Sequence, residues 1–170
     1  MFTLVIGGAA SGKSEYAERH VMALPGQRIY IATLPPWDEE CLARIEKHRR
    51  ARAERGFSTV ERYTDMGAAP LPENANVLLE CLGNLTANEL YSRQGRGPGA
   101  ALAGVKALLP RCAHLTVVTN EVFSGGTGYE GDTLAYMKEL ARANRCLAAA
   151  ADTVVEVVSG LPNFLKGEPL

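Results

Sequence analysis

The feature that most restricts what this chain can fold into is an eight-residue run near its start, Gly7-Gly8-Ala9-Ala10-Ser11-Gly12-Lys13-Ser14. It follows directly on the apolar stretch FTLVI at 2–6. Its spacing, G-x-x-x-x-G-K-S, is that of a loop that cradles phosphates. A polyphosphate needs backbone N–H groups turned toward it and side chains kept out of the way. Gly7, Gly8 and Gly12 can adopt the backbone conformations that allow this close approach. A helix opening near Gly12 adds unpaired N–H groups and the positive end of its dipole. Lys13 then reaches the outer phosphates as the catalytic cation, and the Ser14 hydroxyl sits on Mg²⁺. A strand before the loop and a helix after it supply the context the motif requires. The run therefore predicts a strand–loop–helix opening that binds a nucleoside triphosphate.

Beyond the loop, apolar runs with strand character alternate with segments of helical period. Helices are expected over 14–24, from about 38 to 55, over 83–91, 100–109 and 133–151. Strands are expected over 28–33, 57–62, 77–80, 115–119 and 152–159. Residues 92–99 and the glycine-rich 123–132 read as loops, and the tail to 170 as loose. His20 falls on an apolar helical stripe and His114 just ahead of a strand, so both are expected to pack rather than react. This alternation predicts an α/β protein: a three-layer P-loop NTPase-like fold with a mainly parallel sheet, in a single catalytic domain over 1–170. Ligands of such sheets bind beyond the carboxyl ends of the strands. The loop, Thr33, Glu80, Asn120-Glu121 and Ser159-Gly160 all fall at such ends. Glu80 closes the apolar strand VLLE, where an acid can hold Mg²⁺ or its water.

Charge and cysteine usage exclude several classes. A net charge of −1 over 170 residues gives no global attraction to nucleic acid or an anionic membrane. No run of 18 apolar residues occurs, so no membrane span is expected. With no charged leader ahead of the first strand, a cytoplasmic location is expected. Cys41, Cys81, Cys112 and Cys146 are scattered without a C-x-x-C pair, which favours reduced thiols over a zinc site.

The charge that is present is concentrated. Arg44, Lys47, Arg49, Arg50, Arg52 and Arg55 surround His48 on the second helix. A neutral imidazole is a good nucleophile near pH 7, and neighbouring cations would stabilise charge on an attacked phosphorus. Covalent nucleotidylation of His48 is then sensible chemistry. From composition alone, a solvated cationic face with an incidental histidine is the better explanation of the helix. A simple small-molecule kinase using the cations to hold a substrate phosphate is a second possibility. An RNA-binding module is a third, and sparse aromatic residues count against it. N-K-x-D, which a GTPase switch would use to read guanine, is absent.

Several motifs together narrow the field. GGAASGKS, YIAT in the second strand, R-I-x-x-H at 44–48, LLEC ending at Cys81, TNEV at 119–122 and LAAAAD…VVSG over 147–160 occur in order along nearly the whole chain. In these the chain resembles the bifunctional adenosylcobinamide kinase/adenosylcobinamide-phosphate guanylyltransferase family. The resemblance implies phosphorylation of adenosylcobinamide by ATP or GTP. It further implies transfer of GMP from GTP, through a guanylyl-histidine, to adenosylcobinamide phosphate. It implies that His48 is that histidine. It places Gly7–Ser14, Ala32, Thr33, Leu34, Arg49, Arg50, Ala51, Arg52, Glu61 and Glu80 at the nucleotide, and it implies a homotrimer. The chain departs from the family pattern after TNEV, where FSGGTGYEGD replaces the usual G-x-G-I-V-P and only Asn144 remains of the motif that follows.

Overall fold

A computed structural model describes residues 1–36, 38–122 and 129–168, apart from the side chains of Cys41 and Arg44. Six strands run parallel: β1 (Phe2–Gly7), β2 (Arg28–Ala32), β3 (Phe57–Glu61), β4 (Ala75–Glu80), β5 (Cys112–Asn120) and β6 (Thr153–Val158). A seventh, β7 (Leu161–Lys166), returns antiparallel to β6. The sheet order is β3-β2-β4-β5-β1-β6-β7, which puts the loop-bearing β1 inside the sheet. β1, β4 and β5 have apolar side chains on both faces because both faces are covered, which is the signature of parallel strands.

Helices α3 (Leu82–Tyr91), α4 (Ala100–Leu108) and α5 (Gly131–Ala150) cover one face. There Leu4, Ile31, Val77, Leu79 and Val117 meet Leu85, Val105, Leu140 and Leu147, all fully buried. α1 (Lys13–Met22) covers the other face, with Ala17 and Val21 against Val5, Leu78, Val118 and Val155. Removing a fully buried leucine from either layer costs about 2–5 kcal/mol, since neighbours relax only partly into the cavity.

The helix α2 (Glu39–Glu54) differs from the rest. It packs mainly along β3 at the sheet edge. Arg52 is its one buried side chain among those described. The acids Glu39 and Glu40 open it, where the dipole favours negative charge.

The α/β fold with its mainly parallel sheet agrees with the sequence expectation, and three particulars differ. The tail expected to be loose is β7, a hairpin partner of β6 turned by Ser159 and Gly160, both at positive φ. Its exposed, mixed-polarity sequence LPNFLK hides the pairing, because only Phe164 packs inward. β5 begins at Cys112, so His114 lies within the strand, 4% exposed, with Nε2 3.0 Å from Thr3 Oγ1 and 3.4 Å from His20 Nε2. α5 starts at Gly131, and residues 123–128 of the glycine-rich segment lie outside the described residues.

Candidate nucleotide-binding active site

The loop folds as its glycines dictate. A Cβ on Gly7 would come within 2.8 Å of the Val157 carbonyl oxygen. Gly12, at φ 87°, packs so closely on Gly160 that a Cβ would lie 3.0 Å from its Cα. The neighbouring strands brace the loop from both sides. The Glu121 N–H donates to the Gly7 carbonyl at 3.0 Å, and the Gly160 N–H to the Ser11 carbonyl at 2.8 Å. α1 begins with Gly12 as N-cap and has no side-chain cap, leaving its first-turn N–H groups for a ligand. The buried Ser11 Oγ has no hydrogen-bond partner among the described residues. Lys13 Nζ donates to the Gly8 carbonyl at 2.9 Å, folded across the loop it belongs to.

Beside the loop stands Glu80, the last residue of β4. Ser14 Oγ donates to its Oε1, and the Tyr30 hydroxyl donates to Oε2 at 3.0 Å. Burial pushes the Glu80 carboxyl above the ordinary carboxylate range, and these two hydrogen bonds oppose that rise. Tyr30 is pushed up strongly, first by its own burial and then by the Glu80 charge, so it remains a hydroxyl donor. The Ser14 and Glu80 oxygens adjoin each other at the phosphate loop. Mg²⁺ is bound in phosphate sites by one or two protein oxygens plus phosphates and water. This donor pair fits that need.

α2 supplies the opposite wall. Ile45, His48, Arg52 and Arg55 face a cleft of about 530 Å³ that is also lined by Ser14, Tyr30, Ala32, Leu34, Glu61 and Glu80. Their spacing of three and four puts them on one side of the helix. The Arg52 guanidinium carbon lies 3.9 Å above the centre of the Tyr30 ring, and its buried Nε has no partner among the described residues. Arg55 pairs with Glu18 of α1. A cation stacked on an aromatic face gains about 0.5–2 kcal/mol, more as water is excluded. The contact ties α2 to the tyrosine whose hydroxyl donates to Glu80.

The predicted residues therefore divide. Ser14, Ala32, Leu34, His48, Arg52, Glu61 and Glu80 share the cleft. Thr33 does not open into it: fully buried, its Oγ1 donates to the Cys81 carbonyl at 2.9 Å and accepts the Cys81 N–H at 2.7 Å. Arg50 and Ala51 lie on the outward side of α2 with Lys47, and Arg49 is exposed. The cluster of cations in sequence thus becomes two faces, one turned to the cleft and one to solvent. Sequence reading missed Tyr30, Asn84, Glu15 and Glu18 as cleft residues. Tyr30 looked like ordinary strand filling, and nothing in its period marked a hydroxyl aimed at Glu80.

Comparison with known proteins matches residues 3–165 to the family described as cobinamide kinase / cobinamide phosphate guanyltransferase. The chain belongs to this family. The bifunctional adenosylcobalamin biosynthesis protein CobU of Escherichia coli (strain K12) is 37% identical, aligning 98% of this chain with 100% of its own. CobP of Pseudomonas aeruginosa, with the same bifunctional description, is 34% identical with full coverage of both. Among solved structures, the P4 protein of bacteriophage phi6 in complex with ADP is a distant likeness: 12% identity, a TM-score of 0.42, and coverage of 99% of this chain and 58% of that one. The cleft brings Ser14, at the end of the phosphate loop, and His48 of α2 to a shared lining.

Proposed function

We propose that both reactions use this one cleft and that His48 carries the guanylyl group between them. The protein is a cobinamide kinase and cobinamide phosphate guanyltransferase of adenosylcobalamin biosynthesis. In the first reaction the loop N–H groups and Lys13 hold the triphosphate of ATP or GTP. The substrate hydroxyl attacks the γ-phosphorus, and the bond to the β-phosphate oxygen breaks. In the second, a His48 ring nitrogen attacks the α-phosphorus of GTP and pyrophosphate leaves. A phosphate oxygen of cobinamide phosphate then attacks the same phosphorus. The P–N bond breaks, His48 is restored, and the product is the GDP derivative of cobinamide.

Mg²⁺ between Ser14 and Glu80 would neutralise phosphate charge in both reactions. Arg52, seated on Tyr30, would stabilise the negative charge that builds on the phosphorus attacked by His48. Ala32, Leu34 and Glu61 form the wall along which the nucleoside lies; the contacts of Thr33 are with the strands rather than the cleft. Arg49, Arg50 and Ala51 would meet nucleotide only if α2 turned. We further propose a homotrimer working in the cytoplasm. No helix among the described residues is long and apolar enough to cross a membrane.

The observation that carries this reading is that His48 and Arg52 line the same cleft as Ser14 and Glu80. The test is incubation with Mg²⁺ and GTP labelled at the α-phosphate. An acid-labile, alkali-stable label on the protein, lost in His48→Ala, is expected. Absence of label on the unaltered protein would overturn the guanylyl-histidine route.

A further inference from the structure

A second hollow of about 480 Å³ lies beyond Glu61, which lines both it and the nucleotide cleft. Its other walls are Arg62, Tyr63, Asp65, Gln94 and Arg96. Arg62 and Arg96 both bind the Asp65 carboxylate, at 3.1 and 2.5 Å, and the Tyr63 hydroxyl donates to Glu61 Oε2 at 3.1 Å. These side chains are set from beneath. Glu89, 2% exposed, accepts the Asp65 N–H at 2.7 Å and the Arg96 N–H at 2.9 Å. Asn88 ties the hollow to the cleft, donating to the Tyr63 carbonyl at 3.0 Å and to the Thr33 carbonyl at 2.8 Å.

We infer that this hollow is the docking surface for the rim of the corrinoid substrate, a macrocycle fringed with neutral carboxamides. The inference rests on the reading of cobinamide as substrate and names where it sits. The reacting hydroxyl or phosphate of that substrate is at the end of a side arm, so the ring must lie outside the nucleotide cleft but within an arm's reach of it. A site for an anion would leave an arginine uncompensated. Here Arg62 and Arg96 share the Asp65 carboxylate, with Glu61 beside them and Glu89 beneath, so the hollow carries no excess positive charge. What remains is an array of guanidinium N–H donors beside carboxylate acceptors. A carboxamide offers the matching pair, an NH₂ donor and a carbonyl acceptor. Because Glu89 and Asn88 already fix the wall, little ordering is left to oppose binding.

The test uses the full chain with Arg96→Ala and, separately, Gln94→Trp, which fills the hollow from an exposed position. The KM for cobinamide in the kinase reaction is measured alongside guanylyl labelling by GTP with no corrinoid present. Losing one charged hydrogen-bond partner should raise that KM about tenfold. Filling the hollow should raise it at least as much, and both variants should label to the same extent as the parent. An unchanged KM in Gln94→Trp would overturn the inference, as would equal loss of corrinoid use and labelling. If the parent itself takes no label, the histidine reading fails, while the KM comparison still decides the hollow.

Discussion

Tyr30→Phe isolates one hydrogen bond in the cleft. It removes the hydroxyl that donates to Glu80 Oε2 at 3.0 Å and keeps the ring 3.9 Å beneath Arg52. A hydrogen bond to a charged acceptor contributes about 1.5–3 kcal/mol. Water can enter this cleft and replace part of the loss, so the lower end applies, about 1.5 kcal/mol, or roughly tenfold in affinity. That loss falls on the charged carboxylate, the form that would hold Mg²⁺. If the proposed Mg²⁺ position serves both reactions, the apparent affinity for Mg²⁺-nucleotide should drop by up to about tenfold in the kinase and guanylyl steps alike. The direction with pH follows. Burial already holds the Glu80 carboxyl above its usual range, and the Tyr30 bond is one of the forces holding it down. Without that bond the acid limb of kcat/KM must move to higher pH. Steady-state rates across a Mg²⁺ series, from pH 5 to 9, read both effects. An unaltered Mg²⁺ dependence and acid limb would refute the role given to Tyr30. Loss of the guanylyl step alone would show that the residue acts through Arg52 instead.

Other expectations follow from the same geometry. Lys13→Ala should abolish both activities by removing the cation at the phosphate loop; a surviving kinase rate above one hundredth of the parent, about 2.7 kcal/mol by rate arithmetic, would count against it. His48→Ala should abolish the covalent label yet leave cobinamide phosphorylation within about threefold, so equal loss of both would contradict a role confined to guanylyl transfer. Glu80→Gln should raise or hold the melting temperature of the free protein near pH 7 while destroying activity, because a buried carboxylate with a raised pKa costs stability once ionised; a marked fall in melting temperature would argue that the charge is structurally required. Burial, then the neighbouring His20 and N-terminal ammonium, hold His114 down at about 4, against a smaller upward pull from Asp152. A depressed histidine pKa means that the unfolded chain binds the proton first. Stability should therefore fall by about 2 kcal/mol between pH 7 and 5, and His114→Asn should lose most of that dependence in urea titrations.

Much of the fold was legible because its signals are local. The alternation of apolar runs with helical period is set by the side chains themselves, and the G-x-x-x-x-G-K-S spacing carries its own backbone requirement. β7 escaped because an edge strand buries only one side chain in six residues, leaving no period to detect. The site was legible in part. Ser14 and Glu80 could be paired from strand ends alone, since parallel strands deliver their carboxyl ends to one rim. Thr33 lies at the same rim, but its side chain is spent on the Cys81 backbone. Position along a strand does not tell which way a hydroxyl points.

The sequence by itself determined that the chain would build a phosphate loop between a buried strand and a helix, and that a histidine would sit amid cations on the next helix. Glycine conformations and helical spacing are properties of neighbouring residues, so no distant contact was needed to establish them. Only the tertiary structure decided which cations face the cleft. It turned Arg52 and Arg55 with His48 toward the cleft, left Lys47 and Arg50 outside, and set Tyr30 beneath Arg52 and against Glu80. Those relations join residues from different strands and helices. They arise from sheet order and helix rotation, which follow from burying the whole apolar core at once rather than from any short stretch of chain.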